Sequence, residues 1–117
     1  MALHVGAVTF DAADTGRLAA FWSTALGTVD RPARSMPDVR VVEPTESNPL
    51  MLFLPVPEPK TAKNRCHLDL HTDTYEADLA RLGELGATVV AHHDEVGRWV
   101  VLQDVEGNEF CLVEDVD

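Results

Sequence analysis

A chain of 117 residues, 45% of them hydrophobic, is long enough to bury the core of one compact domain. Its 20 acidic against 9 basic side chains give a formal net charge of -11, a surface that repels phosphate backbones and anionic lipid and argues against nucleic-acid or membrane partners. Two cysteines are too few for a disulfide framework, and there is neither an apolar run of membrane-spanning length nor a basic-then-apolar leader, so a reduced cytoplasmic protein is expected.

Residues 4–11, HVGAVTFD, are rich in β-branched and small apolar side chains and predict a strand. Asp14 stands where an N-cap belongs. Leu18, Phe21, Trp22, Ala25 and Leu26 then recur at helical spacing, and Gly27 takes the place of a C′ glycine. A proline-containing loop, DRPARSMPD, precedes two short strands, VRVVEP and PLMLFLPV. Residues 57–64, PEPKTAKN, read as a linker. RCHLDLHT alternates as a strand, and Asp73 with Glu76 makes a capping-box pattern at the start of a second helix. Leu79, Leu82 and Leu85 form its apolar face, and Gly86 stops it. ATVVAH, RWVVLQ and EFCLVE are three further strands, with Gly107 in the last turn.

The two halves repeat. Asp14 and Asp73 are 59 residues apart, and so are the pairs Leu26-Gly27 and Leu85-Gly86. A period this long marks a duplicated module. The expected fold class is α+β: two βαβββ modules forming a curved mixed sheet around a groove, with the helices outside. One domain spans 1–117, with module 1 over about 1–57, a linker at 57–64 and module 2 over about 65–117. Such a groove is a natural small-molecule site.

Candidate site residues follow from strand parity. His67, Asp69 and His71 share one face of their strand. His67 suits ligand contact or acid/base work, or it only hydrogen-bonds. Asp69 and His71 either assist it or form a solvated face. Trp99 is placed to stack on a planar ligand. Cys111 is either a nucleophile or a small apolar lining group. Phe53 lines the groove or fills the core, because the start of its strand is uncertain. Cys66, next to His67, points towards the helix layer, and a disulfide to Cys111 would have to cross the sheet. His92 and His93 point to opposite faces, against a shared metal. Lys60, Lys63, Arg65 and Arg98 bring positive charge to the linker and groove mouth, as anion contacts or as ordinary surface. Phosphate-loop, kinase and G-x-S-x-G signatures are absent.

Three stretches, FDAADTGRLAAFWSTALG, PVPEPKTAKNRCHLDL and DVEGNEFCLVE, resemble the vicinal oxygen chelate superfamily of glyoxalase I, bleomycin-resistance proteins and extradiol dioxygenases. The resemblance covers almost the whole chain and looks closest to the small bacterial glyoxalase-like domains. It implies a divalent metal held by His, Glu or Gln from the first and last strands of each module. His67 matches one such position. The first module offers only Ala7 or Val8 at another, PLMLFLPVP offers no ligand at all, and Cys111 stands where a Glu is expected. His67 is therefore the only matching metal-ligand position. No cofactor is expected, with a divalent metal left open, because zinc needs at least three protein ligands.

The resemblance then implies a small-molecule-binding protein without the usual complete metal site, acting as a bleomycin-resistance protein does by holding a compound. The alternative is a lyase, isomerase or dioxygenase of the superfamily with His67 as ligand or general base. A third reading is an interaction module with no open site. Family likeness also implies a homodimer; the eight-residue linker, at most about 28 Å long when extended, permits pairing of modules within a chain or between chains.

Overall fold

In the computed structural model, which describes residues 2–94 and 97–115, the chain divides after Pro59 into two units, Met1–Pro59 and Lys60–Asp117. Each is a four-stranded mixed sheet with one helix, so the fold is α+β and built from two βαβββ modules.

The first unit opens with β1 (Val8–Ala12). This strand starts four residues later than the sequence pattern suggests: Leu3 and Val5 have the β-propensity but are exposed. Asp14 caps α1 (Thr15–Leu26) as predicted, its carboxylate accepting from the Arg17 N–H at 3.1 Å. Leu18, Phe21 and Trp22 are buried from its apolar face, and Gly27 closes it in the left-handed region. β2 (Asp30–Pro32), β3 (Arg40–Val42) and β4 (Met51–Pro55) complete a sheet ordered β1-β4-β3-β2, with β1 parallel to β4. β2 lies inside the stretch read as a loop. Its pairing with β3 is reinforced by Arg40 on Asp30 at 2.6 Å and Arg31 on Glu43 at 3.1 Å, polar contacts that leave no apolar pattern.

The second unit contains β5 (Asp69–Thr72), α2 (Tyr75–Leu85), β6 (Thr88–His93), β7 (Trp99–Gln103) and β8 (Glu109–Glu114), ordered β5-β8-β7-β6. β5 is parallel to β8, which repeats the β1–β4 pairing. The predicted Asp73 cap is corrected here. Thr74 is the N-cap residue and makes no side-chain cap bond. Its hydroxyl and that of Thr72 instead donate to Asp78 Oδ2, at 2.8 and 2.5 Å, so Asp78 fastens the first turn of the helix to the end of β5. The Thr72 hydroxyl is the main reason the Asp78 carboxyl lies below its ordinary range, against the opposing effect of burial. Gly86 ends α2 at φ 115, where a Cβ would also stand 2.9 Å from Val105 Cγ1, so only glycine fits.

The period of two then sorts the sheet of the second unit. Val100, Leu102, Phe110 and Leu112 are buried beside Leu82 in its core. Trp99, Val101 and Val113, one residue out of step, are only half-buried. That second face carries the site. No described helix is long and apolar enough to cross a membrane.

Candidate functional site

Adjacent strands place the site residues in rows. Across the sheet, Asp69 pairs with Cys111 and Cys111 with Val101; the next row runs His71, Val113, Trp99. These side chains wall a cavity of about 480 Å³ that lies entirely within the second unit. Five of the six residues expected to bind ligand line it: His67, Asp69, His71, Trp99 and Cys111. Lys63, Val101, Glu109 and Val113 also contribute.

The sixth, Phe53, does not. It is fully buried in the first unit and stacks on Phe10 with centroids 5.6 Å apart. It shares the face of Phe10, which itself stacks on Trp22 of α1, so Phe53 fills the core. The same parity puts Val8 on the helix side with Phe10 and Ala12, leaving Ala7 as the open-face residue of the Ala7/Val8 pair.

His67 precedes β5 rather than lying within it, although the Leu68 carbonyl already accepts the Cys111 N–H at 2.9 Å. Its Nδ1 is 3.3 Å from Asp69 Oδ1. His71 turns to Asp115, Nδ1 to Oδ1 at 3.0 Å. His67, Asp69 and His71 therefore fall into two His–Asp pairs, the second completed by Asp115. Trp99 is held by His93, whose ring stacks on it at 4.0 Å and 13°.

Cys111 is a free, buried thiol. Burial pushes its pKa up, the Asp69 carboxylate pushes it further, and Lys63 opposes them. A thiol held protonated is a poor nucleophile, which favours the lining role over the nucleophilic one. Cys66 is also free, but it is exposed instead of packed into the helix layer. Arg98 is committed elsewhere. It pairs with Glu114 at 2.9 Å and with Glu76, lies over the Tyr75 ring at 4.2 Å, and borders a separate cavity of about 210 Å³.

Glu109 is the charged wall residue that the sequence reading missed, along with the apolar Val101 and Val113. It accepts from the Asn64 backbone N–H at 2.9 Å and pairs with Lys60 at 3.1 Å, fastening the linker to the start of β8. Burial pushes its carboxyl up, but the Asn64 N–H, the Lys60 ammonium, its own N–H and the Gln103 amide outweigh that and bring it to about 2. Because the folded value lies below the ordinary 4.5, this stabilisation is complete above pH 4.5 and disappears as pH falls towards 2. We expect Glu109→Gln to be less stable than the parent by about 1–2 kcal/mol at neutral pH, after allowance for solvent screening. Urea unfolding at stepped pH should find that gap closing between 4.5 and 2.

The sequence matches the glyoxalase-like domain family over residues 7–113. The chain belongs to that family. No curated protein sequence matches it. Among solved structures, this glyoxalase-like protein is similar to the fosfomycin resistance protein FosX from Mesorhizobium loti: TM-score 0.74, 15% identity, covering 99% of this chain and 95% of that one. It is similar to TnmS3, an antibiotic-binding protein from Streptomyces sp. CB03234, at TM-score 0.67 and 23% identity over 99% of both chains. An E126Q mutant of FosX from Listeria monocytogenes, solved with Mn(II) and a dihydroxypropylphosphonic acid, has TM-score 0.74 and 15% identity, covering 97% and 90%. At these identities the likeness establishes the fold alone.

The superfamily's metal does not fit the residues present. Its ligand set draws on both modules, yet the β4 sequence MLFLP has no carboxylate, amide or imidazole and Ala7 has no donor at all. The position of the second-module Glu holds a thiol, kept protonated chiefly by burial.

Proposed function

We propose that the cavity of the second unit binds a small organic molecule with a planar or apolar body, and does so without the superfamily's usual metal. The observation that carries this is the division of the wall. Val101, Cys111 and Val113 make an apolar floor with Trp99 at one end, while His67, Asp69 and His71 make a polar rim. A volume of about 480 Å³ is within the range that holds a drug-sized ligand. The antibiotic-binding and resistance roles named for TnmS3 and FosX support binding of this kind. We place the activity in a cytoplasmic homodimer, on family likeness.

A second reading is catalytic. Asp69 beside His67 Nδ1 would fix the imidazole tautomer and leave Nε2 as a general base, as an isomerase or lyase of the superfamily would need.

Native mass spectrometry of protein purified without chelator tests both. The expected result is one non-covalent organic adduct per chain, released unchanged on denaturation. Recovery of an altered compound after incubation would move the assignment to the catalytic reading. A ligand-free protein whose Trp99 fluorescence responds to no member of a planar aromatic panel would remove the binding reading.

A further inference from the structure

We infer that the organic molecule assigned above to the cavity of the second unit is a planar monoanion, an aryl carboxylate being the type case, a conclusion that rests on that reading. Lys63 takes its anionic group, and its flat body lies on Val101, Val113 and Trp99.

The charges of the wall decide the sign. The carboxylates at the cavity and its rim are already engaged within the chain. Asp69 lies 3.3 Å from His67 Nδ1 and is hydrogen-bonded by the Cys111 thiol. Glu109 accepts from the Asn64 N–H at 2.9 Å and pairs with the Lys60 ammonium at 3.1 Å. Asp115 lies 3.0 Å from His71 Nδ1. A cationic ligand would have to compete for one of these carboxylates. Lys63 lines the same cavity, yet among the described residues its ammonium has no ion pair or hydrogen bond. Its charge reaches the floor all the same, because it opposes the upward push on the Cys111 thiol. An ammonium has three donors and no acceptor, so the group that completes it is an anion.

Placement sets the length of the ligand. Glu109, Cys111 and Val113 follow one another along the open face of β8, with about 6.5–7 Å between successive members. Asn64, next to Lys63, is tied to Glu109 at one end, and Trp99 pairs with Val113 at the other. The charged end and the aromatic end are thus roughly 7–13 Å apart, one to two such steps. A fused bicyclic or biaryl body with one carboxylate spans that distance. His93 stacks on the indole of Trp99 at 4.0 Å and 13°, which steadies the platform.

The formal net charge of -11 does not cancel the effect. Charges more than about 8 Å away are screened at physiological ionic strength, whereas the ammonium is in direct contact with the bound group. Lys63 is exposed, so its gain is limited to about three- to tenfold in affinity.

Naphthalene-2-carboxylate and the neutral naphthalene-2-carboxamide have the same body and differ in charge. Each is titrated by calorimetry into the full chain at an ionic strength of about 0.15 M. The carboxylate should bind at least about threefold more tightly. Lys63→Met keeps the aliphatic stem and should bring the two probes to equal affinity without changing that of the carboxamide. Lys63→Arg should keep the preference, and so should Arg65→Met, which removes a cation outside the wall. Thermal melting should be the same for all three variants. Equal binding of the two probes by the parent would overturn the anionic assignment and leave the binding reading standing. A preference that survives Lys63→Met would remove Lys63 from the site. Binding of neither probe would overturn the assignment as well, and the planar panel would then decide the binding reading separately.

Discussion

Truncating Phe53 to alanine is expected to destabilise the first unit by about 3–5 kcal/mol, the range for deleting a fully buried phenyl ring. The ring has no exposed surface, lies on β4 between β1 and β3, and stacks on Phe10 at 5.6 Å. Phe10 in turn stacks on Trp22 at 6.1 Å, and Trp22 makes an edge contact with Phe21 at 5.4 Å. Removing Phe53 leaves a void at one end of this aromatic row, and close-packed neighbours relax only in part. Urea unfolding gives the number. Leu54→Ala, one residue on and half-buried on the opposite face, should cost much less. If Phe53→Ala proved no more costly than Leu54→Ala, Phe53 would have to be returned to the groove.

Phe53 also marks the limit of what the sequence could say. The apolar string PLMLFLPV identifies a strand but not its parity, and a one-residue slip in the strand start sends every side chain to the other face. Trp99 escaped this ambiguity, its strand alternating between half-buried and fully buried positions, and Cys111 lines the cavity although it is buried between Phe110 and Leu112. The modules were legible because caps and stops are local: Asp14, Gly27 and Gly86 each act within a few residues of themselves. Strand β2 was not, because ion pairs to Arg40 of β3 and to Glu43 just beyond it, ten and twelve residues along the chain, replace the apolar signal. The Asp73 cap failed for a related reason, Asp78 having taken the two threonine hydroxyls that organise that turn.

At the site, strand parity found one side of the wall and nonlocal pairing supplied the rest. The convergence of His67, Asp69 and Cys111 depends on β5 lying parallel to β8, a register no short window contains. Glu109, the first residue of the predicted strand EFCLVE, carried no local signal of its pairing, because its partners Lys60 and Asn64 are more than forty residues upstream. One signal was available: Glu109 is two residues before Cys111, so the two share a face.

Filling the cavity provides the sharpest test of where the ligand sits. Val101 faces the cavity, opposite Cys111, while its neighbour Val100 is fully buried on the helix side. Val101→Trp places an indole over the apolar floor, into space with no packed neighbour to displace. It should lower affinity for the co-purifying molecule at least about 100-fold, a loss on the scale of a central contact in a binding site. Its stability should change by no more than about 1 kcal/mol. Val100→Trp is the mirror control. The same side chain forced into a filled core should destabilise by about 1–3 kcal/mol or more. Native mass spectrometry and thermal melting read the two effects independently. An adduct retained at parental stoichiometry in Val101→Trp would place the ligand outside this cavity. Loss of the adduct with an unchanged melting temperature would tie binding to the open face, because the two valines differ in little but the direction of their side chains.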